Sequence, residues 1–180
     1  MQKSKTSNVS NNVLIITRLA LVAAMYVAIS LLIPGMDYGI VQFRFSEFLV
    51  LLCFYRKDYS VSMILACLIV NLFSPLGWYD IVFGTLATAI SVIPMYYMKN
   101  IYLAALLPVV SNGVIIGAEL HYVIGEPLWL AMASVAVSEL IIIGIIGVVI
   151  FRQLFDRLPT LLKIIGSTKP ITHSKKTAQI

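Results

Sequence analysis

The sequence predicts an all-α integral membrane protein with six transmembrane helices and both termini cytoplasmic. Three observations carry that reading. Hydrophobic residues make up 60% of the 180-residue chain and charged residues 12%, against about 45–50% and about 25% in soluble domains. Several apolar stretches approach or pass the roughly 18 residues that mark a membrane span. The lysines and arginines fall in alternate connections, which is the positive-inside pattern.

The first twelve residues, MQKSKTSNVSNN, read as a polar cytoplasmic leader. An apolar run follows from Val13 to about Ile33 and stops at Pro34-Gly35. Lys3 and Lys5 ahead of it resemble the basic start of a signal peptide. The run has the length of a full span, however, and no small-x-small cleavage site follows, so a retained helix is expected. The second segment, about Gln42 to Tyr55, and the third, about Tyr59 to Phe73, each cover only about 21–23 Å of a hydrocarbon core about 30 Å thick. A re-entrant pair would leave Arg56 and Lys57 in mid-bilayer at about 2.5–3.5 kcal/mol each, so two short crossings are the better account. SPLGWYD makes a turn, with Pro75 and Gly77 as breakers. The fourth segment runs from about Ile81 to Met98, the fifth from Tyr102 to about Leu120, and the sixth from Leu128 to about Leu154. Residues 13–155 thus form the bundle, and 156–180 a basic cytoplasmic tail.

Lys3, Lys5 and Arg18 lie before or at the start of the first helix, Arg56 and Lys57 in the second connection, and Lys99 in the fourth. Arg152, Arg157, Lys163, Lys169, Lys175 and Lys176 follow or close the sixth. The remaining connections hold neither Lys nor Arg. The net charge of +5 is therefore a topology signal, and no nucleic-acid partner is expected.

With that topology, the polar residues gather in the outer half of the membrane: Arg44 and Glu47 on the second helix, Asn71 on the third and Asp80 at the start of the fourth. Asn112 and Glu119 sit on the fifth, and Glu139 near mid-depth on the sixth. Buried ionisable groups face a bundle interior or a wet cavity, so such a cluster is a candidate site. Phe43, Phe45, Trp78, Tyr79, Tyr122 and Trp129 lie near it, suiting a small, flat, polar ligand. Plainer roles stand beside this one. Arg44 and Glu47, at i,i+3, can neutralise each other. Asp80 can cap its helix, and Asn71 and Asn112 can bond neighbouring helices. Trp78, Tyr79 and Trp129 fit an interfacial belt, His121 fits a helix end, and Glu126 a solvated loop. Glu139 has no basic residue at its depth on its own helix, so it must be protonated, paired across helices or bonded to ligand. Cys53 and Cys67 lack metal or redox spacing. Ala20, Ala24 and Ala28 form a small-residue row, for packing within the bundle or for docking a partner.

No nucleotide loop, H-E-x-x-H or G-x-S-x-G motif is present. No catalytic residue, metal site or cofactor is expected in this chain.

VQFRFSEFLVLL, CLIVNLFSPLGWYDIVFGTLAT and the alanine row together resemble the queuosine-precursor transporter family. These are six-helix substrate-binding (S) components of energy-coupling factor transporters of the prokaryotic plasma membrane. The resemblance covers about Val13 to Phe155. It implies a pocket open to the outside for a 7-deazaguanine such as 7-aminomethyl-7-deazaguanine, with sister families taking other vitamins. It implies docking through the alanine face onto a membrane coupling protein with two ABC-type ATPases, which use the ATP. Candidate ligand contacts are Arg44, Glu47, Asn71, Asp80, Asn112, Glu119, Glu139, Phe43, Trp78 and Tyr79. Glu47 or Glu139 would accept the guanine-like edge, and Asn71, Asn112 or Arg44 would donate to its carbonyl. Asp80 or Glu119 would pair with an aminomethyl cation. Competing readings are an intramembrane enzyme built on Glu139 or on Glu119 with His121, and a self-sufficient ion-coupled transporter.

Overall fold

The computed structural model describes the backbone of residues 2–32, 44–167 and 169. Side chains are described within 11–32, 44–155, 157–158, 160–167 and at 169. The expected lid, Pro34 to Val41, and Phe43 lie outside the described residues.

Helices alone make up the regular structure of the described residues. Helix α1 spans Gln2–Leu32. It therefore continues through the polar leader, because no proline or glycine interrupts it before Pro34. Helix α2 opens as a tight 3₁₀ segment, Phe45–Leu51, and relaxes to α geometry over Leu52–Tyr55. Helix α3 is Tyr59–Asn71, and its 13 residues reach only about 20 Å. Helix α4 begins with a widened π turn, Asp80–Gly84, and continues as Thr85–Met95. Helix α5 is Ile101–Ile124. Asn100 caps it by accepting from the Leu103 N–H at 2.8 Å, and left-handed Gly125 (φ +79°) ends it, as helix ends require. Helix α6 joins Leu128–Glu139, a π segment Leu140–Gly147, and Val148–Arg157. A short α7, Pro159–Ile164, follows.

Three helical spans are long and apolar enough to cross a membrane: Asn11–Leu32, Ile101–Ile124 and Leu128–Phe155. Phe45–Tyr55, Tyr59–Asn71 and Asp80–Met95 are apolar but shorter. Large apolar side chains such as Leu21, Ile90, Val110 and Val149 point outward, as expected where lipid is the solvent.

Two apolar clusters form the interior. The larger joins Val22 and Tyr26 on α1, Leu51 on α2, Met63 on α3, Met95 on α4, and Ile143 and Phe151 on α6. The smaller joins Ala87 on α4, Ile116 and Leu120 on α5, and Ala131 and Val135 on α6. Helices α5 and α6 approach closely where Gly113 and Gly117 face Ala136 and Met132. A Cβ on Gly117 would lie 2.5 Å from the Met132 Cα. This is a small-xxx-small seam, in which missing side chains let two backbones meet.

One end of the bundle collects the basic residues. Arg56, in the α2–α3 turn, pairs with Asp58 at 2.7 Å and donates through Nη1 to the Gly166 carbonyl at 3.3 Å. Tyr59 donates to the Ile165 carbonyl at 2.9 Å. Lys169 donates to the Met98 carbonyl at 3.1 Å, with its ammonium 3.7 Å from the Phe54 ring centroid. The segment after α6, expected as a plain basic tail, thus folds back at its start and clasps the α2–α3 and α4–α5 turns.

Candidate functional site

The other half of the bundle holds a buried set of ionisable and amide residues. Arg44, Glu47, Asn71, Asp80, Asn112, Glu119 and Glu139 are all buried, none more than 8% exposed. The guanidinium of Arg44 lies within electrostatic reach of the carboxyl groups of Glu47 and Asp80, Glu119 and Glu139. Glu119 also faces Asp80. The structure therefore gathers one cation and four carboxyl groups from α2, α4, α5 and α6 into a single cluster.

Local geometry explains how these side chains reach one another. Asp80 opens the π turn of α4, and Glu139 is the last residue before the π segment of α6. Widened turns re-aim side chains and recur at functional sites. The close α5–α6 seam brings Asn112 Nδ2 to Glu139 Oε1 at 2.7 Å. Glu139 is thus paired across helices, one of the three outcomes its sequence position allowed. Asn71, at the end of α3, donates from Nδ2 to the Asp80 carbonyl at 2.9 Å and to Cys67 Sγ at 3.3 Å. Its amide fits because α4 has glycine at 84, where a Cβ would stand 2.6 Å from Asn71 Nδ2. Ser74 donates to Asp80 Oδ2.

Glu47 has a partner the sequence reading did not name. Tyr26 of α1 donates to Glu47 Oε1 at 2.5 Å, and Ser30 bonds Ser46 through their hydroxyls, also at 2.5 Å. Tyr26 and Ser30 were missed because each sits singly in an apolar run. The signal was the i,i+4 spacing of Tyr26 and Ser30, which puts two hydroxyls on one helix face. Cys67 accepts from Asn71 and also from Thr88 Oγ1 at 3.1 Å.

Several buried polar atoms have no hydrogen-bond partner among the described residues: Asn71 Oδ1, Asp80 Oδ1, both oxygens of Glu119, Glu139 Oε2 and the hydroxyls of Thr85 and Ser111. Leaving such a group unsatisfied costs about 1–3 kcal/mol. All five carboxyl or amide atoms in this set are oxygens; the amide oxygen accepts, and a carboxyl oxygen accepts where its group is ionised. Asn71, whose nitrogen is already engaged, therefore offers an acceptor rather than the donor expected of it. The cluster matches a ligand that brings N–H groups.

Of the aromatic rings expected near it, Trp78, Tyr122 and Trp129 point outward. Trp78 is 59% exposed and Trp129 79%. Trp78 stacks on Tyr79 with ring centroids 3.9 Å apart, at the start of α4. Tyr122 is exposed, and His121 bonds the Glu126 carbonyl through Nδ1 at 2.7 Å. Ala20, Ala24 and Ala28 are exposed along α1, so the row does not serve packing among the described residues. Among those residues no group of three or more His, Cys, Asp or Glu is arranged to hold a metal ion.

Comparison with known proteins adds a family. A family model described as QueT transporter matches residues 16–156. A curated relative, the "Queuosine precursor transporter QueT" of Lactococcus lactis subsp. cremoris (strain MG1363), is 37% identical over 93 residues, which cover 50% of this chain and 50% of that protein. The chain spans about half the length of that relative. No solved structure matches.

Proposed function

The chain belongs to the QueT transporter family, and from that premise we propose that it is a substrate-binding membrane subunit for uptake of a queuosine precursor of the 7-deazaguanine type. A transporter family sets the intramembrane-enzyme reading aside. The observation that carries the proposal is the buried cluster of Arg44, four carboxyl groups and two amides, with acceptor oxygens left over. A 7-deazaguanine edge presents an N–H and an exocyclic amine side by side, which one carboxylate accepts together. In this reading Glu47, Glu119 or Glu139 takes that role, and Arg44 donates to the base carbonyl. A site of paired buried groups rejects analogues lacking their partners by about 10⁴–10⁵-fold.

In this reading the six apolar helices each cross the bilayer, the clasped basic end is cytoplasmic, and the polar cluster is reached from outside in the cell membrane. The exposed Ala20, Ala24 and Ala28 dock onto a membrane coupling protein whose two ABC-type ATPases supply the energy. A smooth row of small side chains is what close helix approach in lipid requires. Exposed Leu21 and Met25 flank the row.

Calorimetry on the detergent-purified protein tests this, with 7-aminomethyl-7-deazaguanine as ligand and guanine and pantothenate as comparators. Tight, selective deazapurine binding without ATP or an ion gradient is expected. Binding of pantothenate alone would make the chain a subunit for another vitamin. Uptake by membranes lacking any ATPase would favour an ion-coupled transporter.

A further inference from the structure

We infer that Tyr26 is a positioning residue for the ligand site, fixing the carboxyl group of Glu47 from the neighbouring helix α1. The inference rests on the proposed reading that Glu47 contacts cargo. Tyr26 is fully buried and Glu47 nearly so, at 0% and 2% exposure, and 2.5 Å separates the phenol oxygen from Oε1. A phenylalanine would fill the same space in the apolar core. Burying a phenolic hydroxyl costs free energy unless it is bonded, so the tyrosine is explained by its bond to Glu47 and not by packing.

The surroundings make that bond consequential. Glu47 lies on the 3₁₀ segment of α2, where hydrogen-bond geometry is poorer than in an α-helix. It shares a cluster with Arg44, and Glu139 lies within its electrostatic reach. A flexible carboxylate there has a cation to turn towards and another acid to turn from. The Tyr26 hydroxyl selects one orientation, and one helical turn away the Ser30–Ser46 bond at 2.5 Å holds the two backbones in register. Pre-oriented groups bind without first losing rotamer freedom.

The anchoring also ties the site to a specific face of α1. Val22, Tyr26 and Ser30 are its buried row. Ala20, Ala24 and Ala28 are offset from them by two residues, about 200° around the helix, and are exposed. One rigid helix therefore carries the Glu47 anchor on one face and the alanine row on the opposite face.

A double-mutant cycle tests the role in the full-length protein. Tyr26→Phe should weaken 7-aminomethyl-7-deazaguanine binding about 10-fold, and Glu47→Met about 100-fold. If Tyr26 acts through Glu47, the double variant binds within about twofold of Glu47→Met alone. A residue that merely supports the fold would give additive losses, and additive losses overturn the inference, as does unchanged binding by Tyr26→Phe. If the unmodified protein binds no deazapurine, the cargo reading fails instead. The same three variants are then compared by thermal unfolding in detergent, where additivity again overturns the Tyr26–Glu47 link and non-additivity supports it.

Discussion

The two ends of this bundle treat their polar groups in opposite ways. At the basic end, Arg56 binds Asp58 and the Gly166 carbonyl, Tyr59 binds the Ile165 carbonyl, and Lys169 caps Met98 against the Phe54 ring. Each head group there has a protein partner and sits near the surface. At the other end, carboxyl groups with little or no exposure retain oxygens with no partner among the described residues. The first arrangement lowers free energy in the protein as it stands. The second raises it, and is explained when a ligand supplies the missing donors. Stability and binding should therefore part company between the two ends.

The largest effect should come from Glu119→Leu. Removing the carboxyl should weaken deazapurine binding by about 100-fold or more, by leaving a ligand donor unpaired. It should leave the ligand-free protein as stable or more stable by about 1–3 kcal/mol, because an apolar side chain replaces a buried acid that faces a second acid, Asp80. Calorimetry and thermal unfolding in detergent read the two quantities separately. A variant that loses binding and stability together would mean Glu119 is structural, and the contrast between the ends would fail.

Next comes the seam that holds the cluster together. Gly117→Ala would set a methyl group against the Met132 backbone. The separation it forces should cost about 1–3 kcal/mol and weaken binding as well, since Asn112 and Glu139 meet across that seam at 2.7 Å. Unlike Glu119→Leu, this change should lower both quantities. Unchanged unfolding temperature would show that the helices can part without cost.

At the basic end the sign reverses. Arg56→Met removes the bonds to Asp58 and Gly166, and should lower stability by about 1 kcal/mol, the upper range for a partly exposed pair. Ligand affinity should stay within about twofold. A large loss of binding would mean that the clasp and the site act as one unit.

How much of this was legible beforehand follows from what each signal depends on. Composition and the spacing of basic residues were enough for helices and their order, because both are properties of the chain alone. Arg44, Glu47, Asn71, Asp80, Asn112, Glu119 and Glu139 could be singled out because a charge or amide in an apolar run is conspicuous. Their grouping depends on backbone detail that no periodicity encodes: the 3₁₀ start of α2, the π turns beside Asp80 and Glu139, and the direction of the Asn71 amide. Tyr26 escaped notice because a tyrosine in a membrane helix has ordinary reasons to be there. The Gly113–Gly117 pair was readable as a close-packing motif but drew no attention beside the alanine row. Trp78 drew too much, since aromatic rings near a helix end serve an interface as readily as a pocket.

The smallest effect in the isolated protein should be that of Ala24→Leu, and its smallness is the point. Ala24 is exposed on α1, and only 17% of the apolar stretch of that helix is buried inside the protein. A leucine there meets lipid or detergent and should change stability by no more than about 0.5 kcal/mol and ligand affinity not at all. If the alanine row is a docking face, the same substitution should nonetheless abolish uptake by whole cells, because a bulky side chain keeps a partner helix from close approach. Uptake that survives Ala24→Leu would leave the binding site intact as a proposal and remove α1 as the surface through which energy arrives. Uptake lost with binding intact would show that the helix carrying Tyr26 to Glu47 also faces the partner, so that cargo and motor meet on opposite sides of one element.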